Sequence, residues 1–174
     1  MTRRLALLVF LVPLLASPAP SMALEGGGID TVFAVRKNTN ENRVDYGVRL
    51  DAQCRPRGDE PVVAYFRRTN GTTRQLSFLE RTVYGTRSQR VRTEDAGGRV
   101  EFRLRALPDR NIRIVTRQAN GRCAASAITR VDGQPAVLTD IFVVLANPRR
   151  VHHIEVTGRT VSGSATVREE LRDD

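Results

Sequence analysis

Alternation of apolar and polar residues dominates the chain from residue 31 onward and predicts β-strands. The clearest case is residues 43–51, where Val44, Tyr46, Val48 and Leu50 alternate with charged or small residues. Because neighbouring side chains of a strand point to opposite faces, this pattern indicates a strand with one buried face.

Further strands are predicted wherever such apolar runs recur between turn signals. They cover residues 32–35, 62–67, 89–93, 99–105, 112–117, 123–131, 137–146, 151–157 and 160–169. The polar segment 37–42 predicts the turn of a first hairpin, residues 108–111 predict another turn, and Gly158 is expected at the turn of the last hairpin. The run 137–146 is apolar on both faces, which is typical of a central strand.

One segment has a helical period instead. Leu76, Leu79 and Val83 are spaced for one face of a helix over residues 74–84, and Gly85 is a suitable stop. Turn signals recur about every 8–12 residues elsewhere, as in all-β folds. The sequence therefore predicts a mainly β protein, an antiparallel β-sandwich or barrel-like domain with one short helix.

The N-terminus has the pattern of a signal peptide. Two arginines precede the apolar run 5–15, which is too short to span about 30 Å of hydrocarbon. Small residues follow, so residues 1–23 are predicted to be removed by cleavage after Ala23. Residues 24–30 are interpreted as a flexible lead-in and residues 31–174 as a single β-rich domain. We expect an exported protein, periplasmic or extracellular, without a transmembrane anchor after cleavage.

The sequence contains two cysteines, Cys54 and Cys123. An isolated pair in an oxidising compartment usually forms a disulfide. A reactive thiol is the alternative, but there is no Cys-x-x-Cys spacing and no histidine close to either cysteine in sequence. We therefore predict a structural disulfide.

Three segments together resemble a bacterial family of unknown function. They are residues 42–56, residues 61–67 and residues 151–159. They are similar to the bacterial domain-of-unknown-function family numbered 4833, over most of the chain that would remain after cleavage. The resemblance implies an exported bacterial protein. It implies no activity and transfers no catalytic residue.

No set of residues in the sequence predicts catalysis, and no metal site or cofactor is predicted. A G-x-S-x-G motif is absent, and Ser162-Gly163-Ser164 has the character of a polar turn. His152 and His153 are neighbours in a predicted strand, so their side chains are expected on opposite faces rather than at one metal ion.

Paired carboxylates leave a hydrolase open as an alternative. Asp45 and Asp51 share the polar face of one predicted strand. Nearby arginines favour their interpretation as salt-bridge partners, which contribute about 0–1 kcal/mol each when exposed. An envelope glycan or lipid would be the substrate class of such an enzyme.

Charge adds one further feature. The chain has 28 Lys+Arg against 19 Asp+Glu, and every basic residue except Lys37 is arginine. A GC-rich genome would give this bias without a function. The local pattern is more informative, because arginines alternate along two successive predicted strands. They are Arg99, Arg103 and Arg105 on the first strand, and Arg113 and Arg117 on the second.

If these two strands pair, their guanidinium groups line one sheet surface suited to phosphate or carboxylate groups. The leading hypothesis is a non-enzymatic envelope or periplasmic module, structural or binding an anionic envelope component or an envelope protein. Nucleic-acid recognition is not predicted, because its motifs and aromatic platforms are missing. A scaffold or assembly factor using exposed strand edges is a further alternative. The oligomeric state stays open.

Overall fold

A computed structural model describes residues 29–92, 98–119, 121–147 and 150–172. The predicted signal peptide (residues 1–23), most of the predicted lead-in and the Asp95–Gly97 part of a predicted turn lie outside the described residues. The first strand begins at Ile29, inside the segment expected to be a flexible lead-in.

The described residues form eleven strands and one short helix, which confirms a mainly β fold. In chain order the elements are β1 (Ile29–Lys37), β2 (Asn40–Arg49), β3 (Val62–Arg67), β4 (Thr73–Gln75), α1 (Phe78–Tyr84), β5 (Thr86–Arg92), β6 (Arg99–Leu104), β7 (Leu107–Ala119), β8 (Arg122–Val131), β9 (Gln134–Asn147), β10 (Arg150–Thr160) and β11 (Thr166–Arg172). The predicted first hairpin is confirmed, since β1 and β2 pair antiparallel.

The long strand β9 organises the sheet. Along one edge its first part pairs with β8 at residues 134–137, and its later part pairs with β1 at residues 140–143. Along its other edge it pairs with β10. The sheet order is β4-β3-β2-β1-β9-β8-β7-β6-β5, with β10 and β11 branching from β9. Pairing is antiparallel except between β1 and β9, which are parallel, a contact that the sequence did not predict.

The sheet curls into a half-barrel because its two wings, β1–β4 and β5–β8, diverge from the same edge of β9. A side chain connects their far ends: the amide of Gln89 on β5 donates to the Val62 carbonyl at 2.9 Å and accepts from the Val62 N–H at 3.0 Å. The Tyr46 hydroxyl on β2 donates to the Tyr84 carbonyl at 2.6 Å, which connects β2 to the last residue of α1. Burial raises the pKa of the Tyr46 hydroxyl, so it stays protonated as a donor.

The core lies between these wings. The inward positions of β6, Val100, Phe102 and Leu104, are at most 2 % exposed, as their alternation predicted. They belong to the same core cluster as Tyr46 and Val48 of β2, which are completely buried. Burial of these apolar side chains is the main favourable contribution to folding.

The helix is shorter than predicted and does not contribute a buried face. It begins at Phe78, because Ser77 caps it in a capping box with Glu80. Of the predicted stripe, Leu76 precedes the helix and is buried, whereas Leu79 is 75 % exposed. Residues 73–75 form β4 instead, because they pair with the end of β3. The helical spacing was a real signal for a helix but not for its packing.

Two predicted turns lie inside strands. Residues 108–111 belong to β7, and the preceding turn is formed by Arg105 and Ala106. Gly158 lies within β10, where a Cβ would be 2.9 Å from the Val137 carbonyl oxygen, and the chain turns at residues 161–165. Glycine is needed at residue 158 for this close approach of β9 rather than for a turn.

Cys54 and Cys123 form the predicted disulfide, with a Cα–Cα distance of 5.2 Å. The bond connects the loop after β2 to the beginning of β8, and therefore joins the two wings. Among the residues that the structure describes, no helix has the length and apolar character needed to cross a membrane.

Candidate functional site

Arginines cover the outer face of β5, β6 and β7, three strands of the wing β5–β8. The strands β6 and β7 pair so that Glu101 is opposite Arg113, and β5 and β6 pair so that Arg87 is opposite Arg103. Residues directly opposite in an antiparallel pair lie on the same face of the sheet. Seven arginines therefore share this face: Arg87, Arg90, Arg92, Arg99, Arg103, Arg113 and Arg117. We call this set the arginine face.

Sequence analysis found Arg99, Arg103, Arg113 and Arg117 on this face but missed the three arginines of β5. Strict alternation places Arg87 and Arg90 on opposite sides of a strand. A bulge between them, with Ser88 at φ 54°, inserts one extra residue and brings both to the outer side. The spacing of the sequence gives no sign of this bulge.

Arg105 does not belong to the arginine face, contrary to the prediction. Strand β6 ends at Leu104, and Arg105 lies in the following turn, where its N–H donates to the Gly85 carbonyl at 2.9 Å. There it lines a separate cavity of about 300 Å³ together with Arg81 and Glu60. The change of direction at the turn removes Arg105 from the alternation.

Four members of the arginine face have no ion-pair partner among the described residues. Among the described residues, Glu101 is the acidic residue in register with these arginines. Arg87, Arg90, Arg103 and Arg117 are exposed, and no ion pair within the described part of the chain involves them. The paired strands hold these cations close together, an arrangement that favours the approach of an anionic surface.

A groove of about 1120 Å³ adjoins this face. Its floor is formed by outward residues of β6, β7 and β8, including Arg113 and Ile128, and the hairpin of β10 and β11 forms its opposite wall with Ile154 and Leu171. The carboxylate of Glu169 holds this hairpin in place, accepting hydrogen bonds from Arg110 at 2.9 Å and from the Asp132 N–H at 3.0 Å.

Two guanidinium groups in the groove retain unused hydrogen-bonding capacity. The Nε atoms of Arg110 and Arg113 are buried and have no hydrogen-bond partner in the described part of the chain. Arg110 is otherwise occupied by Glu169 and by the Arg130 carbonyl. Neither Arg113 nor Arg130 makes an ion pair with a described residue, and Glu101 lies opposite Arg113 in the register of β6 and β7. Arg130 donates to the Gly133 carbonyl, whereas the Nε of Arg113 keeps an unused donor that an anion can accept.

The two histidines lie side by side, which corrects the prediction that they face opposite ways. A register shift between Val151 and His153 in β10 leaves His152 as an extra residue. The Nδ1 atoms of His152 and His153 are 2.6 Å apart, and His153 Nε2 is 3.3 Å from Glu155 Oε1. No group of three or more potential metal ligands occurs among the residues that the structure describes.

The carboxylates considered for a hydrolase do not converge. Asp45 is completely buried and is paired with Arg43 and Arg67. Asp51 lies in the loop after β2, where the backbone N–H groups of Arg55 and Gln53 donate to its Oδ1 and hold the pKa of this carboxyl below its usual range. Each carboxylate has a structural role at its own position.

A family model described as Domain of unknown function (DUF4833) matches residues 33–170. The match includes the complete arginine face and the lining of the groove except Leu171 and Arg172. The comparisons with curated proteins and with solved structures found no match.

Proposed function

Since the chain belongs to the family described as Domain of unknown function (DUF4833), which the sequence resemblance had indicated, we propose a function from its own surface: an exported binding module whose arginine face holds anionic lipid headgroups of the cell envelope. The single observation that carries this proposal is the presence of seven arginines and one described carboxylate on one face of β5–β7. The predicted signal peptide and the Cys54–Cys123 disulfide support the exported location.

The geometry of a sheet favours closely spaced phosphates as the ligand. Alternate residues along a strand are about 7 Å apart and neighbouring strands about 5 Å apart, so the guanidinium groups form a dense two-dimensional array. A guanidinium group recognises phosphate oxygens bidentately and is more weakly hydrated than an ammonium group. Headgroups in a bilayer present such anions side by side in one plane.

The alternative of a scaffold that works through strand edges receives less support. The edge strand β11 carries four charged residues among its last five positions: Arg168, Glu169, Glu170 and Arg172. Charged residues on an edge strand oppose the addition of another strand.

The experiment measures binding to vesicles of phosphatidylcholine alone and to vesicles that contain one third phosphatidylglycerol. The face variant carries Arg87→Gln, Arg90→Gln and Arg103→Gln. Each arginine near an anionic surface contributes about 1 kcal/mol, so the variant is expected to bind the anionic vesicles roughly a hundredfold more weakly. Raising the salt concentration is expected to weaken binding of the unchanged protein as well.

A matched control removes three exposed arginines elsewhere: Arg57→Gln, Arg68→Gln and Arg159→Gln. It has the same net charge as the face variant, so a general charge effect would weaken both equally. Equal losses, or equal binding of the unchanged protein to neutral vesicles, would overturn the proposal. Stronger binding to soluble polygalacturonate than to anionic vesicles would transfer the role to an acidic glycan.

A further inference from the structure

The groove beside the arginine face is lined by both apolar and charged side chains, among them Arg113. Six apolar side chains line it. Leu107 and Ile128 belong to the floor, and Pro135 lies at the start of β9. Val151, Ile154 and Leu171 belong to the wall formed by the hairpin of β10 and β11. Its volume of about 1120 Å³ is slightly above the roughly 300–1,000 Å³ of small-molecule sites. The volume and these apolar side chains suit an aliphatic chain.

Arg113 connects the groove to the arginine face. It belongs to the outer row of β7 together with Arg117, and it also lines the groove next to Ile128. Its Nε is buried without a hydrogen-bond partner among the described residues. An unpartnered donor in a buried position is costly, and an anion bound there would remove this cost.

Three other charged residues of the groove, Arg110, Arg130 and Glu169, make hydrogen bonds within the structure. Glu169 accepts from Arg110 and from the Asp132 N–H, and Arg130 donates to the Gly133 carbonyl at 2.8 Å. These contacts hold the walls together. Arg113, with its unpartnered Nε and with Glu101 opposite it on β6, is the position that we assign to the charge of a ligand, beside the apolar side chains of the lining.

We propose that this groove binds one chain of an anionic amphiphile, with the phosphate at Arg113 and the aliphatic tail between Ile128, Ile154 and Leu171. The inference rests on the proposed function and deepens it: the arginine face would hold a layer of headgroups, and the groove would accept the tail of one molecule. The phosphate could belong to a lipid or to a free alkyl phosphate, because the groove recognises the chemistry that these share.

Alkyl phosphates, used below the concentration at which they form micelles, distinguish the contribution of the aliphatic tail to binding from that of the phosphate. Each buried methylene group strengthens binding about fourfold. Because the groove is open on one side, we expect octyl phosphate to bind at least about tenfold more tightly than butyl phosphate, and octyl glucoside, which lacks the charge, to bind more weakly than octyl phosphate. Titration calorimetry with the unchanged protein measures all three.

Two variants test the two halves of the site. Arg113→Gln is expected to weaken octyl phosphate about tenfold or more, because a charge-assisted hydrogen bond is lost. Leu171→Gln is expected to reduce the advantage of octyl over butyl phosphate while leaving butyl phosphate unchanged. Val161→Gln is the control, since Val161 is 55 % exposed and does not line the groove. Thermal unfolding of each variant verifies that it is folded.

The outcomes distinguish this inference from the proposed function. Equal affinity for butyl and octyl phosphate, or octyl phosphate binding that is the same in Arg113→Gln and Val161→Gln, would overturn the groove as a tail site. Vesicle binding that still depends on Arg87, Arg90 and Arg103 would then leave the proposed function intact. If the affinity for alkyl phosphates depends on chain length but the protein does not prefer anionic vesicles, the groove remains a tail site and the proposed role of the arginine face is wrong.

Discussion

The carboxylate of Asp45 is completely buried, and its Oδ2 accepts a hydrogen bond from Nε of Arg67 at 2.5 Å. The Nε of Arg43 lies 2.8 Å from Oδ1 without the geometry of a hydrogen bond. The bond to Asp45 raises the pKa of the Arg67 guanidinium. Alternation assigns Asp45 to the polar face of β2. In the structure, Asp45 instead forms an internal ion pair that joins β2 to β3.

We expect Asp45→Asn to lower the free energy of unfolding by about 2–4 kcal/mol, because it leaves a partly buried arginine without its counter-charge. Urea unfolding measures this loss. The control is Asp140→Asn, whose partner Arg36 is 2.8 Å away with a side chain that is 51 % exposed. That exposed pair is expected to contribute less than about 1 kcal/mol. Equal losses in the two variants would contradict the role given to Asp45.

The disulfide closes a loop of 69 residues between the two wings. In the chain-entropy description, such a cross-link contributes about 4 kcal/mol by restricting the unfolded chain. We expect the variant with Cys54→Ala and Cys123→Ala to lose about this much in urea unfolding. Reductant should lower the midpoint of the unchanged protein toward that of the variant and leave the variant unaffected. A midpoint insensitive to both treatments would show that the cross-link adds no stability.

A side chain at residue 158 is expected to destabilise the fold. A Cβ at this position would be 2.9 Å from the Val137 carbonyl oxygen and 3.0 Å from the Ala136 Cβ, both in the paired strand β9. Gly158→Ala should therefore destabilise the protein by about 1–3 kcal/mol through overpacking. Gly163→Ala is the matched control, because its nearest neighbour would be the Thr160 hydroxyl at 3.4 Å. Thermal unfolding compares the two, and similar midpoints would count against the close approach.

The pH dependence of stability has an identifiable component at the start of α1. The hydrogen bonds from Arg74 to the Glu80 carboxylate, and those within the capping box, lower its pKa to about 2. A carboxylate with a lowered folded pKa stabilises above its unfolded pKa, and this contribution is lost as the pH falls from about 5 to about 2. Because Arg74 is largely exposed, we expect at most about 1 kcal/mol from Glu80.

Comparison of the unchanged protein with Glu80→Gln isolates this contribution. Glutamine keeps the capping interaction but cannot titrate. The stability difference between the two should be present at pH 6 and absent near pH 2, as urea unfolding at each pH would measure. A difference that is constant across this range would show that the ion pair does not stabilise the fold.

Alternation within single strands predicted a large part of the fold. The inward residues of β6, the apolar β9, the first hairpin and the disulfide all follow from patterns that can be recognised within one segment or from the cysteine count. The shared face of the four arginines on β6 and β7 was predicted in the same way, because alternation places them on one side once the two strands pair. The sequence resemblance to the family is likewise confirmed by the match over residues 33–170.

Contacts between distant segments decided the rest. The bulges at Ser88 and His152 changed which side chains share a face, and the pairing of β1 and β8 with one edge of β9 curled the sheet. The β10–β11 hairpin built the groove over Arg113. Side-chain alternation is a property of one strand, so the sequence alone determined its faces. Strand register and the approach of one strand to another depend on the summed contacts of residues far apart in the chain, so only the tertiary structure decided them.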